Sequence, residues 1–148
     1  MSTKDLVVDA SVILAACFPD EKAPQALRLM EDYATGRVDL WAPRLLALEF
    51  INACLVARRR SRIGDPLLDN LVDHFLALEI RWVGVEKNAR QVLALAKEYG
   101  LTSYDAAYVA AAKILGCRMV TGDRGLYNAV RNGLPFVVPL ERYGEEWR

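Results

Sequence analysis

Apolar and polar positions change period repeatedly along the chain. Leu6-Val7-Val8 is a short apolar run and predicts a buried strand, followed by a helical stretch over residues 11–18. Across residues 24–34, Ala26, Leu27, Met30 and Ala34 share one helical face, and Gly36 ends that helix. Residues 38–42 predict a second strand, and Pro43 opens a long helix running towards Arg60. Asp65-Pro66 is a cap followed by a first helical residue, beginning a helix that extends to about residue 78. Residues 80–85 predict a third strand, and a helix from about Glu86 ends at Gly100, which suits a left-handed cap. Thr102 or Ser103 caps the next helix, running to about residue 115. Residues 118–121 form a fourth strand, a short helix starts near Arg124, and residues 136–138 form a fifth strand.

Strands alternating with helices predict a parallel sheet covered by helices and joined by right-handed crossovers. In such a sheet ligands bind outside the carboxyl ends of the strands. Composition sets the scale. The chain has 148 residues, 53% hydrophobic and 26% charged, with 19 basic residues balancing 19 acidic ones. That profile predicts one globular domain, residues 1–148, and excludes both a disordered chain and a generic polycation that coats nucleic acid. Cys17, Cys54 and Cys117 are far apart and set among apolar residues, so they read as buried small hydrophobes in a reducing compartment. Leu14-Ala15-Ala16-Cys17 has the look of a lipoprotein cleavage box. Asp9 interrupts the apolar run before it, however, and the expectation is a mature cytoplasmic N-terminus. No apolar stretch approaches the roughly 20 residues that span a bilayer, so no membrane association is expected.

The edge rule sorts the aspartates. Asp9 directly follows the first strand, Asp123 follows the fourth by one glycine, and Asp105 lies in the first turn of a helix, all on the carboxyl edge. Asp5 and Asp39 lie at strand starts, on the opposite edge. Glu49 stands out differently: residues 45–57 are apolar on every side except Glu49 and Asn52, which point the same way. A helix of that kind is expected to be buried, and a buried carboxylate needs a partner or a metal. Each residue also has a plainer role. Asp9 and Asp123 would serve as helix caps, Asp105 would complement a helix dipole, and Glu49 would pair with a buried arginine. Taken together, converging carboxylates repel by about 4 kcal/mol per pair at 4 Å and an effective dielectric near 20. A hard divalent cation removes that repulsion, and oxygen ligands without His or Cys favour Mg²⁺ or Mn²⁺.

Four segments carry a family resemblance: Val7-Val8-Asp9-Ala10-Ser11, Leu48-Glu49-Phe50-Ile51-Asn52-Ala53, Ser103-Tyr104-Asp105-Ala106-Ala107-Tyr108 and Thr121-Gly122-Asp123-Arg124. In order and separation they resemble the motifs of PIN-domain nucleases, VapC-like ribonuclease toxins in particular. The resemblance implies a three-layer α/β/α domain on a five-stranded parallel sheet. It further implies a Mg²⁺- or Mn²⁺-dependent endoribonuclease that is homodimeric and neutralised by a cognate antitoxin. Asp9 and Asp105 match the family's most regular metal ligands, and Glu49 and Asp123 match its remaining acidic pair. Ser11, Asn52 and Thr121 match polar supporting positions.

The family also contains RNA-processing and DNA-acting members. A catalytically silent interaction module of the same fold is a further alternative. A phosphatase of the haloacid-dehalogenase type is disfavoured, because Asp9-Ala10-Ser11 lacks its second acid. Arg58, Arg59 and Arg60 read either as a solvated helix end or as an RNA or partner contact, about 16 Å from Glu49 along the helix. Arg124 is nearer the site and is the better candidate for RNA contact. His74, the single histidine, is expected on a solvated helix face.

Overall fold

The first strand, β1 (Asp5–Val8), buries all four of its residues, as a strand covered on both faces must. In the computed structural model, which describes residues 4–21 and 23–145, β1 is central to a five-stranded sheet. The others are β2 (Asp39–Ala42), β3 (Arg81–Trp82), β4 (Arg118–Thr121) and β5 (Val137–Pro139). Their order is β3-β2-β1-β4-β5, with every pairing parallel. The chain therefore moves outward from β1 to one side and later returns to the other. This reversal makes the crevice beyond β1 and β4 a topological switch point, where α/β sheets place ligands.

Seven helices among the described residues flank the sheet: α1 (Ala10–Cys17), α2 (Pro24–Ala34), α3 (Leu45–Arg59), α4 (Asp65–Ala77), α5 (Ala89–Tyr99), α6 (Ser103–Leu115) and α7 (Arg124–Val130). The arrangement is the expected α/β/α fold. Helix α6 is the most deeply set, with every residue from Ala106 to Ala112 buried. Its run of alanines lets the helix backbone lie close to the sheet. Phe50 of α3 and Phe75 of α4 stack at 4.6 Å between ring centres and join those helices.

Several expectations are corrected. The third strand is two residues long rather than six, although the Val83 amide still reaches the Ala42 carbonyl at 2.9 Å. As an edge strand it has only β2 to pair with, and Gly84 follows directly. Gly64, not Asp65, caps α4, while the Asp65 carboxylate pairs with Arg58. Helix α3 begins at Leu45 and not at Pro43, and a 3₁₀ turn over Glu86–Asn88 precedes α5. Helix α3 is also not buried all round, since Leu48 is 72% exposed and Leu55 40%. Cys54 is buried as expected, but Cys17 and Cys117 are only half-buried. Among the described residues no helix is long and apolar enough to cross a membrane. Residues 1–3, Lys22 and residues 146–148 of the expected 1–148 domain lie outside the described residues.

Candidate active site

Asp9 is the first residue beyond β1, and only 7% of it is exposed. Its backbone occupies the N-cap position of α1, but its carboxylate does not cap that helix. Instead the Ser11 hydroxyl donates to Oδ1 and the Thr121 hydroxyl donates to Oδ2. Each hydroxyl also accepts a backbone amide. Gly122 N–H donates to Ser11 Oγ at 2.8 Å, and Asp123 N–H donates to Thr121 Oγ1 at 3.0 Å. Asp9 thereby ties the end of β1 to the loop that carries Asp123. Burial pushes the Asp9 carboxyl up to about 6, against the hydroxyl hydrogen bonds that lower it, and the charge of Asp123 adds to the rise.

Asp123 does cap its helix, accepting from Leu126 N–H at 3.1 Å. A Cβ at Gly122 would stand 3.2 Å from Ser11 Oγ, so a side chain there would press on the hydroxyl that holds Asp9. In α6 the cap is Thr102, whose hydroxyl accepts the Asp105 amide at 3.1 Å. The Asp105 carboxylate is thus not needed for capping. Burial raises its affinity for a proton, and the charge of Asp123 raises it further. Glu49, half-buried on α3, is raised by burial and by Asp105, against a hydrogen bond from Tyr108.

Asp123 therefore raises the pKa of both Asp9 and Asp105, and Asp105 raises that of Glu49, so the four predicted acids are linked pair by pair by repulsion. No three of them among the described residues are grouped closely enough to hold a metal ion as they stand. None of the four forms an ion pair among the described residues, which removes the buried-arginine role for Glu49. The partner of Glu49 is Tyr108, whose hydroxyl donates to Oε1. Burial and that bond drive the phenol's pKa upward, so it stays a donor. The importance of Tyr108 is not evident from residue type. Its one available signal is its place one helical turn after Asp105, on the face that looks towards the site.

Other expected residues fall outside the cluster. Asn52 is exposed one turn beyond Glu49 and makes no hydrogen bond to the carboxylates among the described residues. Arg58 pairs with Asp65, and Arg59 and Arg60 are exposed at the far end of α3. Arg124 pairs with Glu141 at 2.9 Å on the rim of the site. His74 is exposed on α4, as expected.

Residues 6–132 match the PIN domain family, spanning all four acids and both hydroxyls that hold Asp9. The chain belongs to the PIN domain family. One relative, Ribonuclease VapC3 of Pyrobaculum aerophilum, is 36% identical over 126 residues, which cover 82% of this chain and 91% of that protein. The crystal structure of PAE2754 from Pyrobaculum aerophilum aligns over 93% of this chain and 91% of its own, with a TM-score of 0.63 and 24% identity. That likeness shows a shared fold. The family resemblance carried by the four sequence segments is borne out, and so is the five-stranded parallel architecture it implied.

Proposed function

We propose that this PIN-domain chain is a Mg²⁺- or Mn²⁺-dependent endoribonuclease, the toxin of a toxin–antitoxin pair, in which Asp9, Glu49, Asp105 and Asp123 carry the chemistry. The observation behind this reading is the gathering of four acids at the switch point without a compensating cationic side chain. The relative's name, Ribonuclease VapC3, supports both RNA as substrate and the toxin role. A cognate antitoxin, a homodimer, a cytoplasmic setting and a single domain over residues 1–148 belong to the same reading.

The donors suit a hard cation. All are oxygens, and three of the carboxyls hold protons more tightly than usual, as ligands awaiting positive charge do. Among the described residues no three acidic, histidine or cysteine side chains close into a ready cage. Mg²⁺ does not demand one, since it keeps several waters and binds through one or two carboxylates together with substrate phosphate. Asp9 and Asp105 would be the direct ligands, with Glu49 and Asp123 completing the site directly or through water. When bound, the ion supplies Lewis acidity at a phosphoryl oxygen and positive charge beside the departing 3′ oxygen.

The chain's own residues do the rest. Ser11 and Thr121 fix both oxygens of Asp9, so its orientation is set before substrate arrives. Tyr108 occupies one oxygen of Glu49, leaving the other to accept a hydrogen bond from the attacking water. Water oxygen bonds to phosphorus, the P–O3′ bond breaks, and the products are a 5′-phosphate and a 3′-hydroxyl. No covalent enzyme intermediate is required.

The test is cleavage of single-stranded RNA with Mg²⁺ or Mn²⁺. Wild type should cleave, EDTA should abolish cleavage, and Asp105→Asn should be inactive while remaining folded. Robust cleavage by metal-free protein, or wild-type rates from Asp105→Asn, would overturn the assignment.

A further inference from the structure

A small cleft opens beside Asp123, where the ends of β4 and β5 meet the start of α2. Its volume is about 160 Å³. Pockets for drug-sized ligands run to roughly 300–1,000 Å³, whereas an apolar cavity of about 150 Å³ holds a benzene ring. The cleft is therefore the size of one planar ring system. Tyr127 and Leu140 give it apolar walls, and Gln25, Arg124 and Glu141 supply hydrogen-bonding groups. It is continuous with the acidic site, because Asp123 lines both.

Charge selects the occupant. A phosphate needs an excess of positive charge, but the Arg124 guanidinium is held 2.9 Å from the Glu141 carboxylate, and Asp123 adds a further acid. A neutral, planar group with donors and acceptors on its edge suits these walls. The Arg124–Glu141 pair is largely exposed, so little energy is lost when its members turn to a ligand. Resting on the nuclease reading, we infer that this cleft receives one unpaired nucleobase of the RNA, next to the bond that is cut. Tyr127 and Leu140 supply stacking surface, and Gln25, Arg124 and Glu141 read the base's edge. An unpaired base can enter such a cleft, whereas a base in a duplex cannot, so the site selects single-stranded RNA.

The experiment uses short single-stranded RNAs carrying one abasic nucleotide at each position flanking the cleaved bond, with wild type, Tyr127→Leu and Glu141→Gln in Mn²⁺. For wild type, one abasic position should lower kcat/KM by about 5- to 150-fold, the range for loss of a single base stack. Tyr127→Leu should be slower on intact RNA and lose most of that abasic penalty. Glu141→Gln, on the exposed rim, should change which base is preferred at that same position when cleavage of a mixed-sequence RNA is mapped. The inference is overturned if no abasic position matters, or if the penalty is the same in Tyr127→Leu and the base preference is the same in Glu141→Gln. Failure of wild type to cleave any RNA would instead overturn the nuclease reading, and this inference with it.

Discussion

The two edges of the sheet treat the same side chain in opposite ways. Asp5 and Asp9 bracket β1 and are equally buried, at 9% and 7% exposure. On the amino edge, Asp5 accepts from the Trp41 indole at 3.0 Å, and Asp39 at the start of β2 has Lys4 at 3.6 Å and Arg81 at 3.7 Å. On the carboxyl edge, the Asp9 carboxylate receives only neutral hydroxyl donors and faces another acid, Asp123. Where the acids are structural, the fold supplies a partner or a cation. Where they gather at the switch point, no lysine or arginine pairs with them among the described residues.

Removing each charge separates the edges most strongly. The Asp9 carboxyl rises from 3.8 to about 6 on folding. The folded state thus holds the proton more tightly than the unfolded one. Its contribution to stability is full below about pH 4 and is lost as pH rises through about 6. At neutral pH in EDTA, Asp9→Asn should therefore stabilise the protein, by up to about 3 kcal/mol. Urea titrations should show that gain closing as pH falls towards 4. Asp5→Ala should act with the opposite sign, destabilising by about 1–3 kcal/mol because the Trp41 donor is left unpaired. Equal signs for the two variants would mean that the two edges hold their acids in the same way.

A smaller effect is expected one layer out from the carboxylates. Tyr108→Phe removes the hydrogen bond that lowers the Glu49 pKa, so the acidic limb of the pH–rate profile should move to higher pH. The rate should fall by about 10- to 100-fold, with a stability loss near 1 kcal/mol. Smallest of all, Asp39→Asn should change stability by less than about 1 kcal/mol and leave cleavage unaltered, because its ion pairs are long and partly exposed.

The alternation of strands and helices was legible because each change of apolar period marks a change of element. Asp9, Asp105 and Asp123 were legible because the edge rule needs only the order of elements. Glu49 was singled out through a premise that holds only in part. Its helix was expected to be buried all round, yet Leu48 and Leu55 face solvent, and Glu49 itself is half-buried. The Tyr108–Glu49 bond was not legible, since it joins residues 59 apart on different helices. Nor was the brevity of β3, whose Ile80 and Val83 are buried and so look like strand positions in sequence, although only Arg81 and Trp82 pair along the ladder. Asn52 shows the converse failure: it lies in a matching segment and shares the direction of Glu49, but one further turn carries it out into solvent.

A carboxyl edge built for a divalent cation, as proposed, should reveal itself in thermal melts in EDTA and in Mn²⁺. Wild type should melt higher in Mn²⁺, with the gain growing with concentration as mass action requires, by about 2.7 kcal/mol at a hundred times the dissociation constant. Glu49→Gln keeps its volume and an acceptor for Tyr108. It should melt at the wild-type temperature or above in EDTA and lose most of the Mn²⁺ gain. A wild-type melting temperature indifferent to Mn²⁺, or a gain undiminished in Glu49→Gln, would mean that these acids do not hold the cation.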